Sequence, residues 1–253
     1  MKWFFINSGF QNGNYNMDLD IQLAKNCLKN EIYFRLYRWN PYCISLGANQ
    51  SFEEVKIDKI KKDNIDIVKR PTGGRAVLHA EELTYSFVMP VLNYSSPKKI
   101  YHEINMAIYN SLKLYDEKLS NVELEKVQPD LSLLYKNQNN SMCFAASVKS
   151  EINYYGKKLV GSAQRKFNNS ILQHGSILCG DYHKKIADYF NFDEEKLNEI
   201  NLELEKNTTD LKSILNQEID YEKLSSCLYF GFENYFKISF NEISVEDFSF
   251  IAS

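Results

Sequence analysis

The order of apolar and polar positions predicts most of the elements of this 253-residue chain. Residues 3–6 (WFFI) form a short apolar run that reads as a first strand. Met17, Ile21, Ala24 and Leu28 then recur at helical spacing. They predict an amphipathic helix over about 17–30, with Asn16 as its cap and Asp18 and Asp20 in its first turn. In 32–39, Ile32, Phe34 and Leu36 alternate with Tyr33, Arg35 and Tyr37, the period of a strand. Asn40-Pro41 breaks that strand, and 43–47 (CISLG) reads as its return. Ser51 and Glu54 give a capping-box signal for a short helix ending near Asn64. Segments 65–70 and 83–91 read as strands, and Pro71-Thr72-Gly73-Gly74 turns the chain between them. Ser96-Pro97 starts a long helix to about Tyr115, with Ile100, Ile104, Ala107 and Ile108 on one face. Residues 117–142 are polar and predict a loop with some short structure. Three strands follow at about 147–154, 158–164 and 171–178, turned by Tyr155-Gly156-Lys157 and Phe167-Asn168-Asn169. Helical patterns lie near 182–190, 194–206, 208–216 and 221–236, and 237–244 reads as a last strand.

No internal repeat and no Pro/Gly/Ser linker divides the chain, so 1–253 is expected to be one domain. The element order predicts an α/β (α+β) domain with a central mixed, mostly antiparallel sheet flanked by helices. Hydrophobic residues make up 44% and aromatics 14%, enough for a substantial core. The 33 acidic residues nearly balance the 30 basic ones. A formal charge of −3 gives no bulk electrostatic reason to bind nucleic acid. Five cysteines, at 27, 43, 143, 179 and 227, are odd in number and show no CxxC spacing, which reads as reduced thiols in a cytoplasm. The four histidines make no metal-ligand spacing. The opening apolar run is too short for a signal peptide, and no run approaches the roughly 18 residues of a membrane span. The expectation is a cytoplasmic protein without metal or membrane.

Three motifs carry candidate chemistry. In 69-KRPTGGRAVLH-79, Gly73 and Gly74 let backbone amides approach a ligand, and Arg70 and Arg75 flank the turn where they could pair with a phosphate or carboxylate. Alone, the segment reads as an ordinary β-turn between strands; it has neither the GK[ST] of a P-loop nor a Rossmann fingerprint. In 156-GKKLVGSAQRK-166, Gly161, Ser162 and Ala163 make room for something to lie against the strand, although a hairpin with solvated lysines explains the composition as well. In 173-QHGSILCG-180, His174 precedes Gly175; a lone strand histidine is more often structural than catalytic. Cys143 stands apart, with polar, turn-prone residues before it and small residues, Ala145, Ala146 and Ser147, after it.

Taken together, Arg-Pro-Thr-Gly-Gly-x-x-x-x-His, Gly-x-Lys-x-x-Gly-Ser-Ala-Gln and Gln-His-Gly-Ser-Ile-Leu resemble the lipoate–protein ligase A, octanoyltransferase and biotin protein ligase superfamily. The likeness runs from Asn7-Ser8-Gly9 into the C-terminal helices. RPTGGRAVLHAEELTYS and the Ser-x-Cys-Phe-Ala segment look most like LipM-type octanoyltransferases. The resemblance implies one α/β catalytic domain like that of biotin protein ligase and the class II synthetases. It implies that the Gly73-Gly74 loop, with Thr72, wraps the medium-chain acyl group or its activated carboxyl end, that Lys158 touches the reacting carbonyl, and that Cys143 is the acyl-accepting cysteine. The family often has an acidic residue after the motif histidine, where this chain has Ala80; the role of that carboxylate would pass to Glu81 or vanish, which leaves His79 without a firm assignment.

An ordinary thiol has a pKa near ~8.5, so a nearby ammonium such as that of Lys158 would favour the thiolate and could also stabilise an oxyanion. The expected reaction takes octanoyl from octanoyl-acyl carrier protein onto Cys143, then passes it to a lysine of a lipoyl domain or glycine cleavage H protein, with no cofactor. The eight-carbon chain needs an apolar tunnel, with Gly161, Ala163 and Gly175 as walls. No base for the acceptor lysine is evident, and by analogy the enzyme is expected to be a monomer. The alternatives are an ATP- and Mg-dependent lipoate–protein ligase, an amidotransferase acting between lipoyl proteins, and a non-catalytic module that only holds acylated carriers. Cys27, Cys43, Cys179 and Cys227 read as small buried hydrophobes.

Overall fold

The computed structural model describes residues 1–91, 96–124 and 151–247. An eight-stranded mixed sheet forms the centre. In chain order its members are β1 (Lys2–Gln11), β2 (Glu31–Trp39), β6 (Glu82–Pro90), β7 (Val122–Leu124), β8 (Ile152–Tyr154), β9 (Lys157–Lys166), β10 (Ser170–Leu178) and β11 (Asn241–Glu242). Across the sheet they run β11-β1-β2-β6-β10-β9-β8-β7. The β1 pairings with β2 and β11 are parallel, and every other neighbour pair is antiparallel. A smaller sheet is formed by β3 (Cys43–Leu46), β4 (Asp66–Lys69) and β5 (Val77–His79) in the order β4-β3-β5.

Helices cover both faces of the large sheet. Alternation along β2 sends Ile32, Phe34 and Leu36 into the main core, with residues of α3 (Pro97–Tyr115) and α6 (Tyr221–Phe236). Phe34 stacks on Phe232 with centroids 4.0 Å apart. The opposite face would meet water in a one-sided sheet. Here α1 (Gly13–Asn26) covers it, burying Leu19, Leu23 and Ala24 against Tyr33, Val88 and Leu172. Arg35 and Tyr37 are therefore buried on the polar face of their strand. The small sheet has its own core, in which Ile44, Leu46 and Leu78 meet Ile60 of α2 (Ile57–Lys62), Ile186 and Phe190 around the 3₁₀ segment Tyr182–Tyr189, and Leu204 of α4 (Glu194–Asn207). The short α5 (Leu211–Leu215) adds Leu211 and Leu215 to the main core.

Several boundaries differ from those the sequence predicts. β1 continues to Gln11, so α1 starts at Gly13 and Asn12 is its cap, its side chain accepting from Tyr15 N. Asn16 lies inside the helix, and the first turn holds no acidic residue. The buried face of α1 includes Asn16 and Asp20, and Leu28 lies exposed beyond the helix end. A purely apolar stripe is thus the wrong template for it. Residues 43–46 do not return along β2; they found the small sheet, pairing with β4 and β5. The Ser51–Glu54 capping box is present, but it caps a 3₁₀ turn, and α2 is separate. Of the last strand only Asn241–Glu242 pairs. The Tyr155-Gly156 turn is as expected: both residues have positive φ, the conformation of a tight hairpin. Among the described residues no helix is long and apolar enough to cross a membrane.

The α3–α6 contact depends on a missing side chain. A Cβ on Gly231 would stand 2.0 Å from Ser111 Oγ and 2.9 Å from Ser111 Cα. Gly231→Leu is expected to cost about 2–3 kcal/mol through overpacking, read as a lower urea midpoint. An unchanged midpoint would mean that the two helices can part without loss.

Candidate active site

One cavity opens where β9, β10, α1 and the small sheet meet. Its wall brings together Arg70, His79, Lys158, Gly161, Ser162, Ala163, His174 and Gly175 from the three sequence motifs. Thr72, Gly73, Gly74 and Arg75 do not line it; they form the loop behind Arg70, tied to the wall by hydrogen bonds. Cys143 lies outside the described residues. The apolar part of the wall comes from Met17, Tyr37, Trp39 and Val77, none of which the motifs indicate.

The lysine hairpin builds one side. Strands β8 and β9 pair Asn153 with Lys158 and Ile152 with Val160, so Leu159 is an extra residue on β9. Such a bulge breaks the two-residue alternation. It sends both Leu159 and Val160 into the main core and brings Lys158 to the same cavity as Gly161, three residues on. Lys158 Nζ lies 3.0 Å from Glu151 Oε2, and both side chains are almost fully buried. Opposite, a Cβ on Gly175 would stand 2.4 Å from Gly161 O and 2.8 Å from Tyr85 Cε1. Only glycine keeps those two strands flush beside the cavity.

A buried relay runs from α1 through the sheet to the glycine-rich loop. Arg35 Nη1 donates to Asp20 Oδ1 at 2.8 Å, Nη2 to Asn16 Oδ1 at 2.6 Å and Nε to Ser8 Oγ at 2.8 Å. Asp20 Oδ2 accepts from Tyr37 Oη at 3.0 Å and lies 3.1 Å from His174 Nδ1. His174 Nε2 lies 2.7 Å from Thr72 Oγ1. Burial works to raise Asp20, but the His174 hydrogen bond and the Arg35 charge outweigh it and hold the carboxyl below its ordinary value. Burial also lowers His174, against the pull of Asp20. The arrangement is therefore carboxylate and neutral imidazole. An ionised Asp20 only accepts, so Nδ1 carries the proton and Nε2 accepts from the Thr72 hydroxyl.

A second relay reaches the same loop from β5 and β6. His79 Nδ1 bonds Glu82 Oε1 at 2.8 Å, and its Nε2 lies 2.7 Å from Ser45 Oγ. Glu82 Oε1 also accepts from Ser176 Oγ at 2.7 Å and from Thr84 Oγ1, which in turn accepts from Trp39 Nε1. Trp39 stacks on His79 with centroids 4.1 Å apart. The carboxylate that serves the motif histidine is thus Glu82, three residues on, and not Glu81, which accepts from Tyr182 N. Burial opposes ionisation of Glu82, yet the His79 contacts and the hydroxyl donors hold it below its ordinary value.

Arg70, expected to meet a ligand anion, is committed to the protein. It donates to Ser45 O and Oγ, Gly73 O and Arg75 O at 2.6–3.2 Å. Arg165 Nη1 adds a 2.6 Å bond to Pro71 O. The loop's carbonyls are thereby held from within. Gly74, at φ 92°, places its carbonyl 1.9 Å from where a Cβ on Gly47 would stand, so both glycines are required there. Sequence reasoning missed Asp20, Arg35, Trp39, Glu82 and Glu151 as parts of the site. The available signal was Arg35 alternating within an apolar strand, since a buried arginine demands a buried acid.

The four described cysteines are poor nucleophiles. Burial raises Cys27 and Cys179 to about 12, Cys43 well above its usual value, and Cys227 in the same direction. No cluster of metal-ligating side chains occurs among the described residues.

Two buried histidines, His174 of the relay and His183, which contacts Gly180 O and Thr208 Oγ1, make stability depend on pH. His174 and His183 are both lowered by burial, so the unfolded chain takes up protons near the ordinary value of 6.5 while the folded protein refuses them. Stability is expected to be complete above that value and to fall as the pH drops below it. Asp20 and Glu82, depressed in the fold, add a further loss at still lower pH, as they protonate. Urea midpoints measured from pH 8 to 4 check this, and a flat profile from 7 to 5 would contradict the neutral-imidazole assignment.

Residues 12–233 match the family "Lipoyl protein ligase A/B catalytic domain". The chain is 32% identical to octanoyltransferase LipM of Staphylococcus epidermidis, over 97% of this chain and 91% of that one. It is 31% identical to octanoyltransferase LipM of Bacillus subtilis, over 98% and 92%. In fold it is similar to a bipartite lipoate protein ligase of Thermoplasma acidophilum, solved in a study with its E2 lipoyl domain (TM-score 0.75, 19% identity, 98% of this chain and 88% of that one). It is equally similar to a lipoate-protein ligase A bound with ATP (TM-score 0.75, 19% identity, 98% and 90%). The matched residues span the glycine-rich loop, the lysine hairpin and the histidine strand, and the chain belongs to the lipoyl protein ligase A/B catalytic domain family.

Proposed function

We propose that this enzyme is an octanoyltransferase that works through a thioester on Cys143, taking the acyl group from octanoyl-acyl carrier protein and giving it to a lysine of a lipoyl domain or glycine cleavage H protein. The observation that carries octanoyl transfer is the 32% identity to an octanoyltransferase over 97% of the chain. The cavity supports it. An ammonium, Lys158, shares the wall with Met17, Trp39, Val77, Gly161, Ala163 and Gly175 as well as with polar side chains, a setting suited to an acyl chain with its carbonyl at the charged end. The four described thiols are all disfavoured as thiolates, which leaves Cys143 as the candidate nucleophile.

In the first step the Cys143 thiolate attacks the donor thioester carbonyl. The oxygen gathers negative charge, which a preorganised ammonium stabilises. The carbon–sulfur bond to the carrier then breaks, and the carrier thiolate leaves and takes the proton that Cys143 gave up. In the second step the neutral ε-amine of the acceptor lysine attacks the enzyme thioester. A carbon–nitrogen bond forms, the carbon–sulfur bond breaks, and the amine's proton returns to the cysteine sulfur. No ATP, metal or redox cofactor enters this balance. Holding the acyl group on the enzyme makes the second attack effectively intramolecular once the acceptor docks.

Incubation with octanoyl-acyl carrier protein is expected to add about 126 Da to the intact protein, labile to hydroxylamine and absent in Cys143→Ser. Lys158→Met is expected to lower turnover about 100-fold or more. Octanoylation that persists in Cys143→Ser, or acylation that requires ATP and passes no label to the enzyme, would assign the chain to ligase chemistry instead.

A further inference from the structure

Lys158 sits in an environment that a flexible ammonium normally avoids. Its backbone is fixed between strands: Thr209 N donates to Lys158 O at 3.0 Å, and Lys158 bridges to Thr208. Its side chain has four methylenes and could carry the charge outward to water. It stays inside instead, 3% exposed, against a carboxylate that is 4% exposed. Two charges taken out of water cost several kcal/mol each, and well-packed apolar residues would serve stability as well or better. A carboxylate that fills the cavity wall beside an ammonium is thus poorly explained by stability alone. Glu151 also stands at the mouth of the β8–β9 hairpin whose bulge turns Lys158 inward, so one short segment supplies both the turn and the counter-charge.

We propose that Glu151 is the positioning residue of Lys158: it holds the ammonium aimed along the cavity wall, where an acyl carbonyl would lie. This rests on the octanoyl-transfer reading above. Glu151 acts through Lys158 and not on the substrate. The ammonium has three donors, one of which lies on Glu151 Oε2, so the carboxylate fixes the directions of the others. Without the carboxylate that contact is lost, and the ammonium is no longer held in that direction. The effect belongs to the transition state, where the oxyanion forms, and not to the grip on the acyl chain.

The test is a double-mutant cycle on octanoyl transfer with Glu151→Gln, Lys158→Met and the double variant, each checked for folding by its thermal transition. Glu151→Gln is expected to lower kcat about 10-fold or more while KM for octanoyl-acyl carrier protein stays within about two-fold. Glu151→Asp, which keeps the charge, is expected to recover kcat to within about three-fold of wild type, and Glu151→Gln added to Lys158→Met to change the residual rate less than about two-fold. An equal loss in both backgrounds, or an unchanged kcat in Glu151→Gln, overturns the proposal. Should Glu151→Gln not fold, Glu151→Asp is compared in the wild-type and Lys158→Met backgrounds, and equal effects in the two overturn it. A wild type that transfers no octanoyl group overturns the parent reading; a wild type that turns over without this coupling overturns the Glu151 proposal alone.

Discussion

A guanidinium and a carboxylate buried together beneath α1 set the terms for the rest of the site. Arg35 and Asp20 are both inaccessible to water. Removing one partner of such a pair strands the other, at roughly 3–5 kcal/mol. The surroundings answer the charges in detail: Ser8, Asn16 and Asp20 take the donors of Arg35, while Tyr37 and His174 meet Asp20. The charge pair therefore fixes α1 against β1 and β2 and also orients an imidazole on β10. That imidazole reaches Thr72 in the glycine-rich loop. The relay from Glu82 through His79 and Ser45 meets the same loop through Arg70. The loop, which ordinary turn geometry would leave mobile, is held by two buried chains and by arginine donors on its carbonyls.

This arrangement divides the chemistry between two sides of the cavity. One side is built from two relays with ionised carboxylates, one ending on the Thr72 hydroxyl of the loop and the other reaching the loop through Ser45 and Arg70. The other carries the Lys158–Glu151 pair on a bulged hairpin. Small residues at 161, 163 and 175 line the space between, where Gly175 allows β9 and β10 to pass closely.

Much of the fold was legible from pattern. The alternation of β2, the Ser96-Pro97 start of α3 and the Tyr155-Gly156 hairpin all follow from period and turn chemistry, and the structure has them in place. The start of α1 was not, because its buried face carries Asn16 and Asp20, which hydropathy assigns to solvent. The small sheet was hidden because β3, β4 and β5 pair across distances that local pattern does not encode. In the site, each of the three motifs supplied residues to one cavity, but Thr72, Gly73, Gly74 and Arg75 stand behind its wall and Cys143 lies outside the described residues. Their partners were invisible. Glu82 is three residues from His79 where the position after the histidine seemed decisive, Asp20 reaches His174 across 154 positions, and Glu151 lies across a hairpin whose bulge no period predicts. The supporting shell is read from tertiary contact, and only the first layer from sequence.

The claim on which the account turns is that burial keeps His174 neutral beside an ionised Asp20, which takes the Nδ1 proton in a hydrogen bond, so that Nε2 accepts from Thr72. Nitrogen-15 NMR of the histidine side chains at pH 7 reads this directly. The account predicts for His174 one protonated nitrogen, Nδ1, and one bare nitrogen, Nε2, with that pattern lost in Asp20→Asn. A proton on Nε2, or on both nitrogens, would contradict it.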